Sequence, residues 1–117
     1  MSGIVFFASE VRAETVSFYV DRFGADVWLE QTDCTVLQYD NMRFGFCERE
    51  SADTDGILTF VTDDRDGVDA LYDDLADCAC DPPEANPRYD IYHFFAEDPE
   101  GRAVEVQSFD SVTEPVR

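Results

Sequence analysis

A chain of 117 residues and 13.3 kDa has the length of one domain, and 44% hydrophobic with 14% aromatic residues can fill a core, which excludes a disordered polymer. Its 27 acidic residues face 8 basic ones, all arginine, for a formal net charge of −19, so it lacks the cations that neutralise nucleic-acid phosphates. The acids (17 Asp, 10 Glu) run along the whole sequence, which reads as halophilic adaptation to a salty cytoplasm rather than as a groove for a cation.

Residues 3–9 are apolar, β-branched and aromatic and predict a strand, with Ser9 read as the cap of a following helix. Val11, Thr15, Phe18, Tyr19 and Phe23 then recur at helical steps until Gly24 stops them. Strands are predicted over 25–31, 34–39 and 42–48, with turns at Thr32-Asp33 and Asp40-Asn41. An acidic linker covers about 50–55. A strand over 56–62 leads through Thr62, read as a second cap, into a helix striped by Val68, Leu71, Tyr72 and Leu75. Asp63, Asp64 and Asp66 suit the start of that helix. Residues 81–87 read as a loop. Strands follow over 88–97 and 102–109, joined by the turn Asp98-Pro99-Glu100-Gly101, and the tail from Asp110 is expected to fray or to cross a partner. No apolar run approaches the roughly 18 residues of a membrane span, and Met1 to Ile4 lack the basic start of a signal peptide, so a cytoplasmic protein with no membrane partner is expected.

Shifting the sequence by 53 positions lays Gly3-Ile4-Val5-Phe6-Phe7 on Gly56-Ile57-Leu58-Thr59-Phe60, Arg12 on Arg65, Tyr19 on Tyr72 and Asp21 on Asp74. The chain therefore reads as one α+β domain built of two βαβββ modules, about 1–49 and 56–110. Of the cysteines, Cys78 and Cys80 form a Cys-x-Cys pair without the second pair or histidines that zinc requires. With no secretory signal, all four, including Cys34 and Cys47, read as small apolar residues or a surface thiol rather than as a disulfide framework.

Two segments carry a family resemblance: Ser17-Phe18-Tyr19 with Phe23-Gly24-Ala25, and the run from Glu97 through Asp98-Pro99-Glu100-Gly101-Arg102 to Glu105-Val106. In this tandem setting they resemble the vicinal oxygen chelate superfamily, the glyoxalase, bleomycin-resistance and extradiol dioxygenase group. The resemblance implies cupped mixed sheets that form a groove, commonly in homodimers. It also implies, in the metal-dependent members, one His or Glu ligand on the first and one on the last strand of each module. Carried onto this sequence, those positions fall at Ile4, Phe46, Ile57 and Glu105. One carboxylate among three apolar side chains does not make a site for a divalent metal, so no cofactor is expected and metal-dependent chemistry becomes the alternative.

The groove expected from that alignment is lined by Phe6, Trp28, Phe44, Phe46, Thr59, Glu105 and Gln107, with Val104 and Val106 turned toward the helix. It resembles the metal-free sites of the family's antibiotic-sequestering members, and the function it suggests is binding of a small organic molecule. A plainer reading makes the phenylalanine row core or dimer interface, Glu105 an inherited carboxylate beside Arg43, and His93 a hydrogen-bonded core histidine. Two alternatives stay open. One is a lyase, isomerase or dioxygenase, acid–base through the weak catalytic candidates Glu105 and His93 or metal-dependent. The other is a structural or regulatory dimer without a small ligand.

Overall fold

The structure is a computed structural model and describes residues 3–111. Contacts divide the chain into two compact units. Among the described residues the first comprises 3–54 together with Pro99–Gly101, and the second comprises 55–98 and 102–111.

In the first unit, β1 (Val5–Ser9), α1 (Arg12–Phe23), β2 (Asp26–Glu30), β3 (Cys34–Tyr39) and β4 (Met42–Glu48) make one βαβββ module. Its sheet runs in the order β1-β4-β3-β2, with β1 parallel to β4 and the other pairings antiparallel. The core lies between this sheet and α1. Tyr19 is fully buried, with ring centroids 5.3 Å from both Phe44 and Phe46, and Phe46 stacks on Phe7 at 5.8 Å. The helix stops where its periodicity predicts, because Gly24 adopts φ 74° and its N–H closes on the Val20 carbonyl.

The second unit repeats the plan with β5 (Ile57–Val61), α2 (Arg65–Leu75), β6 (Glu84–Asn86), β7 (Ile91–Glu97) and β8 (Ala103–Phe109), in the sheet order β5-β8-β7-β6. Leu58, Phe60, Phe94, Val104 and Val106 are buried on the α2 side, where Phe94 meets the ring of Tyr72 at 5.4 Å. Val104 and Val106 thus face the helix, as alternation from Glu105 requires.

Several local expectations are corrected. Neither Ser9 nor Thr62 caps a helix. Ser9 ends β1 with its hydroxyl buried and unbonded among the described residues, while the Thr62 hydroxyl donates to the Asp64 carbonyl. Asp64 is the true cap of α2, accepting from the Gly67 N–H at 2.9 Å, and the close approach of Gly67 to Thr62 leaves no room there for a Cβ. The α1 start has no side-chain cap of its own; Glu100 takes that place, accepting from the Glu10 N–H at 2.8 Å and the Thr15 hydroxyl at 3.1 Å. Part of the 81–87 loop is the short strand β6, and the last hairpin begins at Ile91, after Asp90 turns the chain at φ 55°. Asp110 is held by a bidentate ion pair with Arg65, both contacts 2.8 Å, and the tail beyond 111 lies outside the described residues. Cys34 and Cys47 sit opposite each other on β3 and β4 and are joined as a disulfide, against the reading of all four cysteines as thiols. Cys78 and Cys80 are free.

Candidate functional site

Each sheet has one face packed on its helix and one facing away from it. In the second unit the face away from α2 carries Ile57, Thr59 and Val61 from β5, Ala103, Glu105 and Gln107 from β8, and His93 and Phe95 from β7. The parallel pairing sets Thr59 beside Glu105, and the Thr59 hydroxyl donates to Glu105 Oε1 at 2.9 Å. Across the hairpin Gln107 stands opposite His93, which makes Glu105 its diagonal neighbour, and His93 Nδ1 lies 2.7 Å from Glu105 Oε2. The imidazole meets Phe95 edge-on at 5.4 Å.

A carboxylate only accepts hydrogen bonds, so the short His93–Glu105 contact places the ring proton on Nδ1. The other ring nitrogen, Nε2, has no hydrogen-bond partner among the described residues. The two side chains are largely buried, with 11% and 13% exposure. Thr59, Glu105 and His93 therefore form one hydrogen-bonded chain with one protein donor on each carboxylate oxygen.

The first unit has the same layout with different chemistry. The offset that lays Phe6 on Thr59 and the pairing of Phe6 with Gly45 make Gly45, not Phe46, the equivalent of Glu105. The Phe6 ring lies over that glycine, so close that a Cβ added there would meet ring carbons at 2.7 Å. Phe6 and Trp28 are half-exposed, and the Arg43 guanidinium stacks over the Trp28 indole at 4.3 Å. Phe44 and Phe46, expected to line a groove, are instead fully buried against Tyr19 on the helix side. A strand's alternation forbids them from lining the other face as well.

Solved structures share this architecture. A lactoylglutathione lyase from Agrobacterium tumefaciens superposes with a TM-score of 0.77 at 18% identity, over 92% of this chain and 92% of that one. A glyoxalase/bleomycin resistance protein/dioxygenase family enzyme from Burkholderia phytofirmans gives 0.79 at 17% identity, over 90% and 95%. The chain has the glyoxalase/bleomycin-resistance fold. An integron cassette protein from the Halifax Harbour sewage outfall metagenome matches the same fold at 0.79 and 14% identity, over 93% and 98%. No protein-family model matches the sequence, and no curated protein matches it either.

Within this glyoxalase/bleomycin-resistance fold, the strand positions facing each other are Phe6 and Gly45 in one module and Thr59 and Glu105 in the other. Among the described residues no three His, Cys, Asp or Glu side chains come together in a way that could hold a metal ion. The residues at these positions do not fit the donor set of a divalent metal, which takes three or more N, O or S ligands. No described helix is long and apolar enough to cross a membrane. The fold also buries an ion pair that sequence inspection passed over. Arg102, the largest fully buried side chain, binds Asp98 Oδ2 at 2.6 Å, and its own N–H donates to Asp98 Oδ1 at 3.0 Å.

Proposed function

We propose that this protein binds a small organic molecule without a metal, on the face of the second module that carries Thr59, Glu105, His93 and Gln107. The observation that carries the reading is the hydrogen-bonded chain from Thr59 through Glu105 to His93, which engages both carboxylate oxygens with protein donors. Ile57, Val61 and Ala103 supply apolar contact beside these polar points, the usual make-up of a small-molecule site. A net charge of −19 repels anions, so the ligand is uncharged or cationic.

The test is elemental analysis of protein purified in high salt, followed by calorimetric titration with Zn²⁺, Ni²⁺, Mn²⁺ and Fe²⁺. The expected result is no stoichiometric metal and no saturable heat. One equivalent bound tightly, and lost in Glu105→Ala, would replace this reading with a metal-dependent one. Flat cationic and neutral compounds are then screened by the shift of the His93 imidazole resonances, which are unambiguous because the chain has a single histidine.

A further inference from the structure

We propose that Cys34 and Cys47 form a reversible redox site, which exchanges two electrons with a low-molecular-weight thiol that carries no negative charge. The site lies in the first module and is independent of the binding face of the second. The two cysteines are joined directly across β3 and β4, over a sequence separation of 13. The hairpin keeps this register without them. Its strands pair from Tyr39 opposite Met42 outward to Thr35 opposite Phe46, and beyond the cysteines the Glu48 N–H donates to the Asp33 carbonyl at 2.8 Å. That bond marks 33 and 48 as a hydrogen-bonded pair. Residues 34 and 47 are then of the alternate kind, which exchanges no ladder bonds and brings its side chains closest. Opening the disulfide therefore removes nothing from the ladder, and the two thiols it leaves remain side by side, placed to close again.

Alternation turns Cys34 and Cys47 away from α1, opposite in direction to Phe44 and Phe46. Each keeps 8% exposure, and their neighbours Asp33 and Glu48 are exposed. A carboxylate stands at the sulfurs: Asp33 Oδ1 lies 3.6 Å from Cys34 Sγ, while Oδ2 holds Arg49 at 3.1 Å. Negative charge on Cys34 is disfavoured there, whereas a protonated Cys34 has an acceptor for its S–H. The same carboxylate, on a chain of net charge −19, repels an anionic thiol and admits a neutral or cationic one.

The step balances with the small thiol as reductant and its disulfide as the oxidised product. A thiolate forms a bond to Cys34 Sγ, and the Cys34–Cys47 bond breaks. Its electron pair goes to Cys47 Sγ, which takes a proton from water, rather than to the sulfur in contact with Asp33. A second thiolate then attacks the small molecule's sulfur in the mixed disulfide, and the released Cys34 takes a proton and donates it to Asp33 Oδ1. Two small thiols become one disulfide as the protein disulfide becomes two thiols, and the reverse sequence closes the site.

The test uses the full oxidised chain with cysteamine as the cationic probe and glutathione as the anionic one, both millimolar and compared per thiolate. Alkylation and mass mapping follow Cys34 and Cys47, with Cys78 and Cys80, free from the outset, as the control. Cysteamine should open the bond and cystamine should close it, with an unchanged circular dichroism spectrum and a Glu48 amide that stays protected from exchange. At the lowest salt that keeps the chain folded, cysteamine should react about tenfold or more faster than glutathione. That gap should narrow as salt rises, and in Asp33→Asn. A bond that resists both thiols until denaturant is added, or a spectrum that collapses on reduction, would make the disulfide a structural staple and overturn the proposal. Equal rates per thiolate at low salt overturn the class of thiol.

Discussion

Asp98→Ala removes the carboxylate that pairs with the Arg102 guanidinium at 2.6 Å, where both side chains are 0% exposed. Breaking a buried pair from one side costs roughly 3–5 kcal/mol, because the remaining charge stays out of water without its partner. For a domain of this size, at about 4 °C per kcal/mol, thermal unfolding should fall by roughly 12–20 °C. The double change Asp98→Ala with Arg102→Met removes both charges and fills much of the same volume. It still leaves the residue-102 N–H without the Asp98 oxygen it bonds at 3.0 Å, so its cost should be that of one lost buried hydrogen bond, about 1–3 kcal/mol. The double variant should therefore be more stable than Asp98→Ala alone. Urea unfolding followed by circular dichroism, at one fixed high salt concentration, measures all four corners of the cycle. A single variant costing under about 1 kcal/mol, or a cycle with no coupling, would refute a desolvated pair.

Phe46→Ala should cost about 3–5 kcal/mol, as expected for a fully buried ring packed on Tyr19, Phe7 and Phe44. Half-exposed Phe6→Ala should cost below roughly 1.5 kcal/mol in the same urea assay; the reverse order would return Phe46 to the face away from the helix. The Tyr92 hydroxyl donates to Asp69 at 2.7 Å, and that bond, with smaller help from burial and the Asp69 charge, raises its pKa above the ordinary value. A raised folded-state pKa contributes stability below the ordinary tyrosine range, which is lost as pH climbs through the raised value. The absorbance difference between wild type and Tyr92→Phe should accordingly titrate late, and Asp69→Asn should bring it back toward the ordinary range. Thiol titration in denaturant without reductant should count two groups, Cys78 and Cys80, and four after reduction; four from the outset would remove the Cys34–Cys47 bond.

The repeat was legible because duplication preserves apolar order, and the two helices stop and start close to where Gly24 and Asp64 direct them. The face of β4 was not. The family positions carried onto the sequence put Phe46 where Glu105 stands in the second module, yet Phe6 pairs with Gly45 as Thr59 pairs with Glu105. That one-residue slip turns every side chain of a strand over, and with it Phe44 and Phe46. Other contacts could have been counted out from turns already recognised. The Asp40-Asn41 turn pairs Tyr39 with Met42, and five steps outward bring Cys34 opposite Cys47. The turn at 98–101 pairs Glu97 with Ala103, and four further steps set His93 opposite Gln107 and diagonal to Glu105. Nothing in the hydrophobic pattern announces the Asp98–Arg102 pair, because periodicity reports apolar burial and is silent on charges that neutralise one another.

Glu100 completes the start of α1 from a position 90 residues beyond Glu10. During synthesis the first module's strands and helix emerge long before that carboxylate, so the backbone N–H of Glu10 and the buried Thr15 hydroxyl wait for a partner in the turn that precedes β8. At about 5–20 residues per second, the wait lasts several seconds. A ribosome-bound fragment ending before the last hairpin should thus hold α1 with a frayed first turn, and the emergence of Glu100, rather than pairing of the strands β1 to β4, sets when that turn becomes protected from hydrogen exchange.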